Sequence, residues 1–174
     1  RCDWSSDVCS SDLTMVKVFL VEDEAIIRHG IRDNIDWASH GFEFAGEAGD
    51  GEYAYPLILK AQPDILVTDI KMPFMDGLEL SRLVKKALPR MRIIVLSGYN
   101  EFEYAKEAIK IGISDYLLKP VSSAGLIDAL KKAADEIREE REKSRLLERY
   151  FVSYEKYTEC LDKTDYSGDR KSVV

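Results

Sequence analysis

Five short apolar runs, each separated from the next by an amphipathic stretch long enough for a helix, constrain this chain more than any other feature. The runs are Val16 to Val21, Phe42 to Ala48, Ile65 to Asp69, Arg92 to Ser97 and Asp115 to Leu118. Most are continuously apolar rather than alternating, the pattern of strands covered on both faces. Helices are predicted between them at Glu24 to Ile35, Glu52 to Ala61, Leu78 to Ala87 and Glu101 to Ile111, and a longer one from about Ala124. Asp76 with Glu79, and Asn100 with Glu103, have the spacing of a helix cap followed three residues later by an acid. Gly112 stands where a helix should end. Repeated β-α units of this size predict an α/β fold, a doubly wound five-stranded parallel sheet with flanking helices, because right-handed crossovers leave few other topologies.

The last helix runs past what a compact domain needs. Leu126, Leu130, Ala133 and Ile137 form a packing stripe, charge takes over from Arg138 to Lys143, and Leu146, Leu147, Tyr150 and Phe151 then resume. An extended C-terminal helix is expected, with residues 138–168 as a linker or signalling helix and the start of a truncated output region. A heptad reading (Ile137, Glu140, Ser144, Leu147, Phe151) has two polar members and makes a weak coiled-coil seam, and a solvated charged helix end competes with it. Both chain ends lack helical or strand period. Residues 1–13, ending in Cys9-Ser10-Ser11-Asp12-Leu13, and residues 169–174, Asp169 to Val174, resemble translated sequencing adapter. They are expected to be scars outside the fold, with Met15 the natural start and 15–137 the folded domain. Setting them aside removes Cys2 and Cys9 and leaves Cys160, which alone supports neither a disulfide framework nor a zinc site.

At 174 residues, 45% of them hydrophobic, the chain has room for one packed domain and an appendage. Its 25 Lys+Arg against 32 Asp+Glu give a formal charge of -7, which would repel nucleic-acid phosphates. Contact with DNA is therefore expected only through a domain absent from this sequence. No run approaches the ~18 apolar residues of a membrane span, and no basic-then-apolar start marks a secretory signal. A cytoplasmic protein with no membrane partner is the expectation.

In a doubly wound sheet the functional crevice lies beyond the carboxyl ends of the strands. There the sequence places Glu22-Asp23, Asp69, Ser97-Gly98 and Lys119-Pro120. Taken singly, the acidic pair reads as a helix cap, Asp69 as a surface acid, Lys119 as a loop lysine and Ser97 as a turn residue. Taken together, three carboxylates would crowd one pocket, and each like-charged pair at ~4 Å costs about 4 kcal/mol at an effective dielectric near 20. Such a cluster calls for a cation, and oxygen-only ligands suit Mg²⁺, with Mn²⁺ as the alternative, over zinc. A carboxylate can act as a nucleophile towards a phosphoryl group once the incoming charge is neutralised. Lys119 would supply fixed positive charge, and the Ser97 hydroxyl could donate to a phosphoryl oxygen. His29 and His40 lack ligand spacing to this set and read as ordinary helix or loop residues.

Four segments resemble the receiver domain of bacterial response regulators: Val18 to Glu24, Asp69-Ile70-Lys71-Met72-Pro73 with Asp76-Gly77, Leu96 to Tyr99, and Asp115 to Pro120. The resemblance covers about residues 15 to 137 and implies a flavodoxin-like sheet of order 2-1-3-4-5. It implies that Asp69 accepts phosphate from a sensor histidine kinase, and that Glu22, Asp23, Asp69 and the main-chain carbonyl of Lys71 hold the metal. Ser97 would bind the phosphoryl group, Lys119 would pair with it, and Tyr116 would change rotamer as Ser97 is drawn inward, reshaping the face of the fourth helix, fifth strand and fifth helix. The Lys119-Pro120 bond would be cis. Such a domain catalyses its own phosphoryl transfer and slow dephosphorylation without being a turnover enzyme, and dimerisation can accompany activation. Two departures keep the functional group: the acidic pair is Glu-Asp rather than Asp-Asp, and the hydroxyl is Ser rather than Thr. The longer Glu22 would reach the metal through water. Ser97 to Ala105, with Trp37 and Gly41-Phe42, further resembles regulators whose output is an AraC-type helix-turn-helix domain.

Three other classes compete. A phosphatase or dehalogenase on a related sheet would resemble a family that, in its phosphatase members, wants a second acid two positions after its nucleophile, where Lys71 stands. An FMN-binding flavodoxin needs a hydroxyl- and Gly-rich loop where Glu22-Asp23-Glu24 would repel phosphate. A phosphorylation-independent protein-interaction module on the same fold would be expected to lack Asp69, Lys119 or an acidic partner, and this sequence keeps all of them.

Overall fold

In the computed structural model, which describes residues 15–98 and 102–165, the apolar runs form five strands. They are β1 (Val16–Val21), β2 (Phe42–Ala48), β3 (Ile65–Asp69), β4 (Arg92–Ser97) and β5 (Asp115–Leu118). All pair in parallel in the order β2-β1-β3-β4-β5, as the resemblance implied. Strand order reverses between β1 and β3, and their carboxyl ends open on the same edge.

The described residues also form the helices α1 (Ala25–Asn34), α2 (Gly51–Ala61), α3 (Gly77–Ala87), α4 (Phe102–Ile111) and α5 (Ser123–Asp165). The starts of α1, α2, α3 and α5 differ from the sequence expectation by one residue, capping explains two of them, and the expected start of α4 at Glu101 lies outside the described residues. Asp50 accepts the Tyr53 amide at 2.7 Å and Asp76 accepts the Glu79 amide at 2.7 Å, so α2 and α3 begin at the glycine directly after each cap. Glu24 caps α1 instead of lying inside it, and makes no side-chain cap bond. Gly112, at φ 80°, ends α4. A 3-10 turn at Ala38–His40 was not anticipated; the Ser39 amide donating to Asp36 Oδ1 at 3.2 Å helps hold it. The Asn100 cap, Tyr99, Cys2, Cys9, residues 1–13 and residues 169–174 lie outside the described residues, as does the Cys160 side chain.

Alternation along the strands sends Phe19, Val21, Leu66, Ile93 and Val95 to one face, where they pack with Ala54 and Ile58 of α2 and Leu80 and Val84 of α3. Val18, Leu20, Ile65, Val67, Ile94 and Leu96 point to the opposite face and are equally buried. Each of these side chains contributes about 1.5–3 kcal/mol by leaving water, and so fixes the frame on which the strand exits are held.

One close approach ties this frame to Asp69. The Gly77 amide donates to the Ile70 carbonyl at 2.9 Å, and a Cβ on Gly77 would lie 1.9 Å from the Asp69 carbonyl oxygen. Only a residue without a side chain lets α3 start against the turn that follows β3. Gly77→Ala is expected to lose about 2 kcal/mol of unfolding free energy, the usual cost of overpacking against backbone. An unchanged urea midpoint would show that α3 can retreat freely.

The chain divides into two compact units, Arg1–Ala134 and Asp135–Val174, with the break inside α5. In the second, Arg138 pairs with Asp135 at 3.1 Å, and Leu146, Leu147, Tyr150, Phe151 and Tyr154 are exposed. Among the described residues no helix is long and apolar enough to cross a membrane.

Candidate functional site

Sheet hydrogen bonding continues one residue past the strand ends and places each polar exit residue. The Glu22 amide donates to Ala48 O at 3.1 Å, the Ile70 amide to Leu96 O at 3.1 Å and the Lys119 amide to Ser97 O at 2.7 Å. Val21 is in register with Thr68, so Glu22 and Asp69 follow on adjacent strands. Ser97 pairs with Leu118, which sets Lys119 beside the end of β4. The Lys119-Pro120 peptide is cis.

Carboxylate oxygens of Glu22, Asp23 and Asp69 all lie within 4.8 Å of one another. Into this group reaches Lys119, whose Nζ is 2.8 Å from Asp69 Oδ2 and donates to Glu22 Oε1 at 3.0 Å. Glu22 is fully buried and Asp69 nearly so, whereas Asp23 is exposed. Burial pushes the Glu22 carboxyl up to about 7, against the pull of the Lys119 hydrogen bond and with a further push from Asp69. For Lys119 burial works to lower the ammonium pKa, and the hydrogen bonds to Asp69 and Glu22 outweigh it, leaving the group above its ordinary value.

Glu22 Oε2 is 2.8 Å from Lys119 Nζ yet has no hydrogen-bond partner, since the ammonium donates to Oε1. The short distance is Coulombic contact, and the oxygen keeps an acceptor site to fill. A buried oxygen of this kind, among three carboxylates offset by one ammonium, fits a hard divalent cation. No nitrogen or sulfur donor joins the group among the described residues: His29 Nε2 instead lies 3.7 Å from Glu47. Lys71 is exposed in the loop two residues after Asp69.

Ser97 is buried at the end of β4, where its hydroxyl donates to Gly98 O at 3.2 Å and accepts from the Tyr116 hydroxyl at 2.5 Å. The sequence expectation linked these two residues only through space vacated by Ser97. The structure joins them directly, and Tyr116 already packs against the core cluster of α2, α3 and β4. Sequence reasoning also passed over Arg28, whose guanidinium donates to the Glu22 carbonyl at 2.6 Å. A bond to main-chain oxygen leaves no trace in residue types.

Residues 18–131 match the family described as response regulator receiver domain. The chain belongs to that family. It is 46% identical over 124 residues to the uncharacterized transcriptional regulatory protein YesN of Bacillus subtilis (strain 168), a match covering 71% of this chain and 34% of that protein. It is 42% identical over 112 residues to the transcriptional regulatory protein HptR of Staphylococcus aureus (strain N315), covering 64% of this chain and 44% of that one. The matched receiver portion thus accounts for less than half the length of either relative. Among solved structures, the REC domain of AraT, a response regulator from Geobacillus stearothermophilus, superposes with a TM-score of 0.69 at 43% identity, over 73% of this chain and 98% of that one. A two component transcriptional regulator AraC from Clostridium phytofermentans ISDg gives 0.65 at 33% identity, over 74% and 98%. Receiver domains are response-regulator modules of two-component systems, partner with sensor histidine kinases and are not a family of turnover enzymes.

Proposed function

We propose that this receiver accepts a phosphoryl group on Asp69 from the phosphohistidine of a sensor histidine kinase and passes the change to an output domain that regulates transcription. The observation that carries the reading is the Lys119 ammonium 2.8 Å from Asp69 Oδ2, in the pocket where the Glu22 and Asp23 carboxylates converge. A carboxylate oxygen of Asp69 forms the new P–O bond while the P–N bond of the donor breaks and its electron pair stays with the imidazole. Lys119 balances the charge gathering on the transferring group. Glu22, Asp23, Asp69 and the main-chain carbonyl of Lys71 would hold Mg²⁺, or Mn²⁺, which when bound neutralises carboxylate and phosphoryl oxygens together. Ser97 would exchange its 3.2 Å bond to Gly98 for one to a phosphoryl oxygen, and Tyr116, bonded to Ser97, would carry the change to the α4-β5-α5 face, where activated copies would pair.

In this reading residues 15–137 are the receiver, 138–168 a linker helix with the start of an output region, and 1–13 and 169–174 scars. An AraC-type DNA-binding domain is the proposed output, supported by the AraC regulator among the structural relatives. A cytoplasmic location follows from the same role. The reading is tested by incubating the protein with acetyl phosphate and Mg²⁺ and following intact mass. One added phosphoryl group, mapped to the peptide containing Asp69 and abolished by EDTA, is expected. A folded protein that gains no mass would instead be a phosphorylation-independent interaction module.

A further inference from the structure

Arg28 sits in the first turns of α1, six residues beyond Glu22, outside the acidic pocket. Its side chain nevertheless turns back towards the strand exit. Nη1 donates to the main-chain carbonyl of Glu22 at 2.6 Å and reaches that of Asp23 at 3.5 Å. Nε lies 3.5 Å from Glu47 Oε1, and both side chains are largely buried. A Cβ at Gly49 would stand 3.2 Å from Nη1, so the guanidinium also lies against the turn between β2 and α2. Glu47 is held in turn by Arg32 Nη1 at 3.1 Å.

These contacts fall on the shortest connection of the site. Only Glu22, Asp23 and Glu24 separate β1 from α1, so the orientation of two peptide planes sets where the Glu22 and Asp23 carboxylates point. A planar guanidinium with fixed donor directions can hold a carbonyl and a carboxylate at once, which a lysine ammonium cannot do with the same geometry.

We propose that Arg28, braced by Glu47, is a positioning residue that fixes the turn after β1 so that the Glu22 and Asp23 carboxylates meet that of Asp69, and thereby sets the divalent-cation affinity of the pocket. The proposal rests on the reading of that pocket as a Mg²⁺ site. Two effects oppose each other. As a nearby cation Arg28 would repel Mg²⁺, and removing it would tighten binding; as a brace it orders the ligands, and removing it would loosen binding. Glu47, which Arg28 shares with Arg32, compensates part of the charge, and the 2.6 Å bond to the Glu22 carbonyl acts directly on the turn, so bracing prevails. Outer contacts of this kind typically account for 10–100-fold in metal affinity.

The test is a Mg²⁺ titration of the full chain, free of phosphoryl donor, following the amide resonances of residues 22–24 in the parent, Arg28→Met and Arg28→Lys. Arg28→Met, which keeps the apolar stem, should bind about tenfold more weakly. Arg28→Lys, which keeps the charge without the fork, should recover only part of that loss. In metal-free Arg28→Met the amides of residues 22–24 should exchange faster with solvent, and phosphoryl uptake should return towards the parent rate at saturating Mg²⁺. Equal or tighter binding by Arg28→Met, or full recovery with lysine, overturns the proposal. Should Arg28→Met not fold, Arg28→Lys decides alone, parent-like affinity refuting the brace. A parent that binds Mg²⁺ and takes up phosphate beside an indifferent Arg28 variant leaves the pocket reading standing, whereas a parent that binds no Mg²⁺ removes both.

Discussion

Asp69→Asn is expected to gain no phosphoryl group from acetyl phosphate and Mg²⁺ over a period in which the parent is fully labelled. The amide matches the carboxylate in shape but has no anionic oxygen to attack phosphorus. The fold should survive, because the two electrostatic consequences of the change oppose each other. Lys119 loses the charge of its 2.8 Å partner though an amide oxygen can still accept its hydrogen bond, while Glu22, whose pKa Asp69 pushes upward, loses a like-charged neighbour. A net stability change within about 1 kcal/mol is expected, read from thermal unfolding beside the mass measurement. Undiminished uptake by a folded Asp69→Asn protein would place the acceptor elsewhere.

Lys119→Met should slow phosphoryl uptake by about 100-fold or more, the usual consequence of removing one preorganised donor from a charge-developing site. At a pH high enough to keep Glu22 ionised, metal affinity should move the other way, because the ammonium held between Glu22 and Asp69 is a competing cation. Breaking a buried pair costs about 3–5 kcal/mol when the remaining charge has no escape. Here Glu22 has one: burial already pushes its carboxyl up to about 7, so it can take a proton once Lys119 is gone, and the loss of stability should stay nearer about 1–2 kcal/mol. Slower transfer with tighter Mg²⁺ binding is the signature to look for in paired titration and labelling experiments. If transfer slows only because Mg²⁺ binding weakens, the lysine organises the pocket instead of stabilising the transferring charge.

Strand positions were legible because burial on both faces writes the central strands, β3 and β4 above all, as near-continuous apolar runs bounded by polar residues, and although β2 carries Glu43 and Glu47 and β5 is only half-buried, all five sets of limits coincide with the observed ones. Helix starts were less legible. A cap side chain such as Asp50 fixes the first turn through a main-chain amide, so Gly51 rather than Glu52 opens α2. The convergence of Glu22, Asp23 and Asp69 could be anticipated once parallel strands were recognised, since their exits share an edge. Arg28 could not, because its partner is the carbonyl of Glu22, and Gly77, though part of the segment that carries the resemblance, gave no sign of its bond to the Ile70 carbonyl. The direct Tyr116–Ser97 bond escaped for a related reason: register places the two on neighbouring strands, but rotamers bring their hydroxyls together.

Ser97 is gripped from two sides, its carbonyl by the amide that opens the cis peptide at Lys119 and its hydroxyl by the phenol of Tyr116. In the proposed switch, one small residue would thus act as the fulcrum of a lever, with Lys119 and the carboxylate nest on one arm and an aromatic ring on the other. A pull on the Ser97 hydroxyl towards a phosphoryl oxygen would then be felt at Tyr116 through a single hydrogen bond.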